Sequence, residues 1–188
     1  MYGIVLLAVV GPAIVSLAVT CVVRAWARRS GFVDHPRGHK RHGAPVALGG
    51  GIALVASICG PILAGTVVAW ALHGDTVPTW LPGLIKTHLS GIASKLPVVV
   101  AIMAGAVVLH VVGLVDDRKA LGAWPKLVAQ FAVALFTAWP MGIRAIEVLP
   151  APISIGITVV WIVLITNAFN FLDNMDGLSA GVAAIAAA

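Results

Sequence analysis

Long apolar runs alternate with short polar connectors along the chain, and the lengths of the runs set its architecture. A helix needs roughly 20 apolar residues to cross about 30 Å of hydrocarbon. Five stretches reach or approach that length: Gly3 to Val23, Val46 to Leu72, Pro97 to Val115, Leu127 to Met141, and Ile153 to Ala168. A sixth begins near Leu178. Lipid admits only helices or closed barrels, and no run shows the period-two alternation of a barrel strand. The expected fold is therefore all-α: a polytopic transmembrane helix bundle with five complete spans and the start of a sixth, forming one membrane domain over residues 1–188. Short connectors make the later spans antiparallel neighbours. The connector from His73 to Leu96 carries Pro78, Pro82 and Gly83 and is expected to hold a short interfacial segment. The chain stops inside the apolar run "GVAAIAAA", so it is expected to be a fragment, truncated at its C-terminus.

Composition agrees. The chain is 60% hydrophobic and 10% charged, with a mean hydropathy of +1.04. Soluble domains run near half apolar and about a quarter charged. The first run has no basic residue before it and no polar small-residue region after it, so it reads as a permanent span rather than a leader. Cys21 and Cys59 lie within apolar runs, where a thiol behaves as a small hydrophobe. They indicate neither a disulfide framework nor a cysteine metal site.

Charge supplies the orientation. Arg24, Arg28, Arg29, Arg37, Lys40, Arg41, Arg118, Lys119 and Lys126 fall on one side, and only Lys86, Lys95 and Arg144 on the other. The positive-inside rule then places the first, third and fifth connectors in the cytoplasm. Asp34, Asp116, Asp117, Asp173 and Asp176 share that face, leaving Asp75 and Glu147 outside. Trp80, Trp124 and Trp139 sit near span ends, as interfacial aromatics do. The net charge of +5 follows from this asymmetry and needs no nucleic acid; anionic lipid is the simpler partner.

Three polar clusters carry candidate chemistry. In "NAFNFLDNMDGL" after the fifth span, Asn167, Asn170, Asp173 and Asp176 recur every three residues and share a helix face while the backbone stays helical. Gly177 loosens or ends the turn. Carboxylates at this depth face a polar cavity or a partner, whereas a single Asn or Asp is more often a helix-capping residue. In "GLVDDRKALG" after the third span, Asp116 and Asp117 repel, and a divalent cation or a basic group relieves that repulsion better than burial does. Mg²⁺ suits such oxygens, binding through one or two carboxylates while retaining water or phosphate. The bland alternative is a solvated turn neutralised by Arg118 and Lys119. In "DHPRGHKRHGAPVALGGG", basic residues precede a glycine-rich helix start, an attractive place for phosphate; Gly49 to Gly51 also suit tight helix packing. His35, His39 and His42 lie in surroundings too basic for a soft-metal centre, and His110, inside the third span, reads as a packed, hydrogen-bonded histidine. All three clusters fall on one membrane face, as a shared site for Mg²⁺ and phosphate beside lipid requires.

In these residues the sequence resembles the polyprenyl-phosphate N-acetylhexosamine-1-phosphate transferases. That superfamily shows an Asp-x-Pro and Lys-x-His loop before a Gly-Gly helix start, an Asp-Asp pair after an apolar helix, and an Asn-x-x-Asn-x-x-Asp-x-x-Asp-Gly run. The matching positions here are Asp34, Pro36, Lys40, His42, Gly50 and Gly51; then Asp116 and Asp117; then Asn167, Asn170, Asp173, Asp176 and Gly177. His39, Ala47 and Asn174 depart from the pattern, and none removes a carboxylate. The last motif looks closer to the N-acetylglucosamine branch than to the muramoyl-pentapeptide branch.

The resemblance implies a Mg²⁺-dependent enzyme, with Mn²⁺ as an alternative cation, in the bacterial inner membrane with its active site facing the cytoplasm. It would transfer a sugar-1-phosphate from a UDP-N-acetylhexosamine to polyprenyl phosphate and release UMP, for cell-envelope glycan synthesis. Asp117 and Asp176 become the metal or diphosphate contacts. Asp173, Asn167 and Asn170 shape the pocket, and Asp116 orients or deprotonates the lipid phosphate. Lys40 and His42, with Asp34 in the same loop, hold substrate phosphate, assisted by Arg37 or Arg41. A homodimer is compatible with this reading. The resemblance further implies that later loops complete the site, so the fragment alone is expected to be inactive. Phospho-N-acetylmuramoyl-pentapeptide transfer is the nearer alternative; an intramembrane prenyltransferase or a transporter is more distant.

Overall fold

A computed structural model of the chain describes residues 2–34, 46–74, 77–79, 81–173 and 177–187. The elements run α1 (Tyr2–Ser30), β1 (Val33–Asp34), β2 (Val46–Ala47), α2 (Gly50–Leu72), α3 (Gly83–Ser94), α4 (Leu96–Arg118), α5 (Ala123–Ala138), α6 (Ala151–Leu172) and α7 (Leu178–Ala187). They divide into two compact units, Met1–Ala120 and Leu121–Ala188.

Helices α1, α2, α4 and α6 are long and apolar enough to cross a membrane, and the architecture is that of a helical membrane protein. Their packing inverts the soluble pattern. The buried apolar residues are mostly alanines, among them Ala27, Ala53, Ala69, Ala101, Ala134 and Ala138, while Leu17, Leu54, Ile58, Val108, Val111, Trp161 and Leu164 are exposed. Small residues let helices approach closely where lipid removes any hydrophobic drive between them. Polar side chains inside the spans bond to their own helix: Ser57 Oγ donates to the Ala53 carbonyl at 2.6 Å, Thr66 Oγ1 to Ile62 at 2.8 Å, and Thr166 Oγ1 to Ile162 at 2.8 Å.

Helix ends depart from the apolar runs in a consistent way. α1 continues to Ser30 and carries Arg28 and Arg29 in its last turn; α4 continues through Asp116 and Asp117 to Arg118. Hydrocarbon limits how far an apolar run extends, but the backbone hydrogen-bond ladder continues into the interface. α2 begins at Gly50 rather than Val46, because residues 46–47 pair antiparallel with residues 33–34, Val33 opposite Ala47 and Asp34 opposite Val46. An all-α expectation missed this ribbon. Two residues per strand are too short to leave a period-two signature.

The connector from His73 to Leu96 holds the short helix α3. It packs back on α2 through a cluster of Ala69, Leu81 and Leu89, and Lys95 both ends α3 and precedes α4. α5 has 16 residues, about 24 Å at 1.5 Å per residue, shorter than the other four. Exposed Trp124 and Trp139 bracket it, as expected; Trp80 lies outside the described residues. α7 occupies the place of the sixth run.

Within the first unit, the start of α2 meets α4 side by side. A Cβ placed on Gly51 would lie 2.9 Å from His110 Cε1 and 3.1 Å from Nδ1. His110 is thus packed as expected, but its buried Nε2 has no hydrogen-bond partner among the described residues. Gly51→Val should lower the melting temperature of the detergent-purified protein by the equivalent of about 1–3 kcal/mol of overpacking. His110→Ala in the same background should recover most of that loss; additive effects in a thermal-shift double-mutant cycle would contradict the contact.

Candidate functional site

In the first unit, the functional face is organised around Phe32, which the sequence reading passed over. Its ring is buried. It sits 6.0 Å from Trp26 of α1 in a tilted pair, lies 3.5 Å from where a Cβ on Gly49 would stand, and has the Arg118 guanidinium carbon 4.9 Å from its centroid. Its carbonyl also accepts from Leu48 N–H at 3.0 Å. One aromatic ring therefore gathers the end of α1, the entry to α2 and the end of α4. Gly49 permits this with φ 92° as the N-cap of α2, a conformation that disfavours side chains.

Asp34 follows Phe32 by two residues in β1. Lys40 and His42, with Pro36, Arg37, His39 and Arg41, lie outside the described residues, as does Asp176. Asp116 is half-buried and Asp117 exposed, both in the last turn of α4. Seven residues separate His110 from Asp117, two turns or about 10 Å, so the carboxylates stand beyond the level of Gly51, towards the ribbon. Arg118, exposed in that last turn, also lies over the Phe32 ring.

In the second unit, Asn167 and Asn170 lie near the C-terminal end of α6 and Asp173 is its C-cap, still in the right-handed helical region. The three-residue periodicity therefore persists through Asp173, whose Oδ1 accepts from Ser179 Oγ of α7 at 3.0 Å. Gly177, at φ 71°, ends the connection as expected. α5 packs antiparallel on α6: Ala134 and Ala138 form a buried cluster with Val163 and Val159. One turn from that cluster, Asn167 Nδ2 donates to Gln130 Oε1 at 2.5 Å. Continuing the register carries Lys126 to the level of Phe171.

These positions are unusual for acidic groups. The unsatisfied groups at a helix C-terminus are carbonyls, which accept, and a carboxylate also only accepts, so Asp116, Asp117 and Asp173 cannot cap these ends by side-chain bonding. The helix dipole disfavours negative charge there as well. Capping of the helix that carries them fails for these carboxylates on hydrogen-bond chemistry alone, and Asp173 turns instead to the first turn of α7 through Ser179.

Residues 99–188 match the model of glycosyl transferase family 4. A decaprenyl-phosphate N-acetylglucosaminephosphotransferase of Mycobacterium tuberculosis is 32% identical over 193 residues, covering 96% of this chain and 43% of that protein. A probable undecaprenyl-phosphate N-acetylglucosaminyl 1-phosphate transferase of Bacillus subtilis is 29% identical, covering 90% of this chain and 42% of that protein. A phospho-N-acetylmuramoyl-pentapeptide-transferase of Mycobacterium avium is 27% identical, covering 98% and 55%. The chain belongs to the polyprenyl-phosphate N-acetylhexosamine-1-phosphate transferase superfamily. It spans less than half the length of the first two of these relatives. No solved structure matches it.

The superfamily match covers the Asp116–Asp117 pair and the Asn167 to Asp173 run. Among the described residues, no three His, Cys, Asp or Glu side chains group closely enough to hold a metal. A Mg²⁺ site does not need three, since one or two carboxylates plus phosphate oxygens suffice. Phe32 and Gln130 are the site-supporting residues that motif reading missed. The one signal for Gln130 was a buried-face position four residues before Ala134 on an apolar helix. Phe32→Leu and Arg118→Gln should each cost stability and show a coupling of about 0.5–1 kcal/mol in a double-mutant cycle, the magnitude of a surface cation–π contact. Zero coupling in thermal denaturation would remove Phe32 from its organising role.

Proposed function

We propose that this chain is the cytoplasm-facing catalytic membrane portion of an enzyme that transfers N-acetylglucosamine-1-phosphate from a UDP-sugar to polyprenyl phosphate in the bacterial inner membrane. The observation that carries the reading is the placement of acidic side chains at the C-terminal ends of α4 and α6, where the helix dipole disfavours negative charge. Carboxylates so placed favour positive charge from elsewhere. The mycobacterial and Bacillus relatives, both named as N-acetylglucosamine phosphotransferases of a polyprenyl phosphate, point to the same chemistry.

The reaction balances as a direct displacement. An oxygen of the lipid phosphate attacks the phosphorus bonded to the sugar. The bond from that phosphorus to the bridging oxygen breaks, and UMP leaves with that oxygen. Asp117 and Asp176 would hold Mg²⁺; when bound, the cation supplies neutralisation of charge developing on the leaving phosphate. Lys40 and His42 hold a phosphate, and Asn167, Asn170 and Asp173 line the pocket. Asp116 orients the lipid phosphate. Its role as a base is unnecessary near neutral pH, because a phosphate monoester with a second pKa near 6 is already largely dianionic.

Muramoyl-pentapeptide transfer is kept as a second donor because of the M. avium relative. In the detergent-purified full-length gene product, Asp117→Asn should abolish Mg²⁺-dependent UMP release from UDP-N-acetylglucosamine with undecaprenyl phosphate, and Asp116→Asn should reduce it equally at every pH. A wild type that turns over only the muramoyl-pentapeptide donor would move the reading to that branch. A wild type silent with both would refute it, and a defect in Asp116→Asn confined to low pH would restore the base role.

A further inference from the structure

Asn167 and Gln130 face each other across α5 and α6 as two amides, and the atoms they use leave one of them a single outlet. Gln130 is buried, while Asn167 is exposed. Asn167 Nδ2 donates to Gln130 Oε1 at 2.5 Å and to the backbone carbonyl of Val163 at 2.8 Å. A carbonyl only accepts, so the end of the Asn167 amide beside Val163 must be its nitrogen. That nitrogen has two protons, and both are used. Among the described residues, Asn167 Oδ1 has only a long return contact from Gln130 Nε2, at 3.5 Å, and an amide oxygen has two lone pairs.

We propose that Gln130 is a positioning residue that locks the Asn167 amide, so that Asn167 presents its oxygen, and not its NH₂, to whatever binds at the end of α6. The inference rests on the transferase reading for the identity of the ligand, and it narrows that reading. Asn167 then takes a hard cation or a hydroxyl or N–H donor, such as those of an acetamido sugar, and does not grip a phosphate oxygen. The amide pair also explains why a polar residue is retained in the middle of α5, on the stripe it shares with Ala134 and Ala138. Leaving Gln130 unpaired there would cost more than replacing it with an apolar residue.

The experiment uses the full-length gene product in detergent, labelled with ¹⁵N-asparagine, with Asn167 assigned by its loss in Asn167→Asp. The Asn167 side-chain protons should exchange slowly in the wild type and rapidly in Gln130→Leu. Gln130→Glu, which still offers an acceptor oxygen, should restore slow exchange. Equal exchange in wild type and Gln130→Leu would overturn the lock whether or not the enzyme is active. In the UMP-release assay, Gln130→Leu should lose roughly ten- to a hundredfold, as for residues that orient a ligand-binding group, with partial recovery in Gln130→Glu.

Substitutions of Asn167 decide which atom it presents. If the oxygen faces the ligand, activity falls in the order Asn, Asp, Leu. If the NH₂ faces a phosphate, the added negative charge makes Asp worse than Leu, and that order would overturn the proposal. A raised half-saturating Mg²⁺ concentration in Gln130→Leu identifies the cation as the ligand, and a raised donor KM alone identifies a sugar hydroxyl or N–H. A wild type that releases no UMP but keeps a protected Asn167 amide would overturn the transferase reading and uphold the lock.

Discussion

Everything in this chain follows from the requirement that backbone polar groups in lipid be satisfied within their own segment. That requirement makes each apolar run a helix, and it confines irregular backbone and charge to the ends. Hydroxyls that fall inside the spans turn inward on their own helix carbonyls, as at Ser57, Thr66 and Thr166. Two hydroxyls near the start of α6 serve the incoming chain, Thr158 while also donating to its own helix at Ser154. Ser154, fully buried, donates to the Ile146 carbonyl at 2.6 Å, and Thr158 Oγ1 accepts from Ala145 N–H at 2.9 Å. The α5–α6 connection is thereby tied to the helix that carries Asn167, Asn170 and Asp173.

Once hydrophobic drive between helices is absent, contact geometry rests on small residues and a few polar or aromatic fasteners. In the first unit the fasteners are Gly51 against His110 and Phe32 under Arg118. In the second they are the Ala134 and Ala138 seam and the Gln130–Asn167 pair. In both units the fasteners lie within a few turns of candidate functional residues. The contacts that hold each unit together therefore also set the direction of its polar groups.

Run lengths and charge asymmetry were legible because lipid enforces them along a single segment. The helices, the short α3 and the glycine start of α2 could be read directly, as could the spacing of Asn167, Asn170 and Asp173. The β1–β2 ribbon was not legible: pairing of Val33 with Ala47 joins positions fourteen residues apart with no local pattern. Phe32 looked like one apolar residue after a basic helix end, and its role depends on three partners distant in sequence. Gln130 lacked a motif, and its meaning appears only when α5 is laid against α6. Pairwise contacts between elements are the information that a one-dimensional pattern omits.

The opposed directions of α2 and α4 gather helix ends of opposite dipole sign within the first unit. Antiparallel packing brings the amino end of α2, with its positive dipole end, to the same side as the carboxyl end of α4. α4 runs about two turns farther, so Asp116 and Asp117 stand beyond the start of α2, with Arg118 turned aside onto Phe32. The helix start favours an anion, and the acidic pair favours a cation. On the proposed reading, a diphosphate carrying a divalent cation presents both signs within a few ångströms and matches both helix ends.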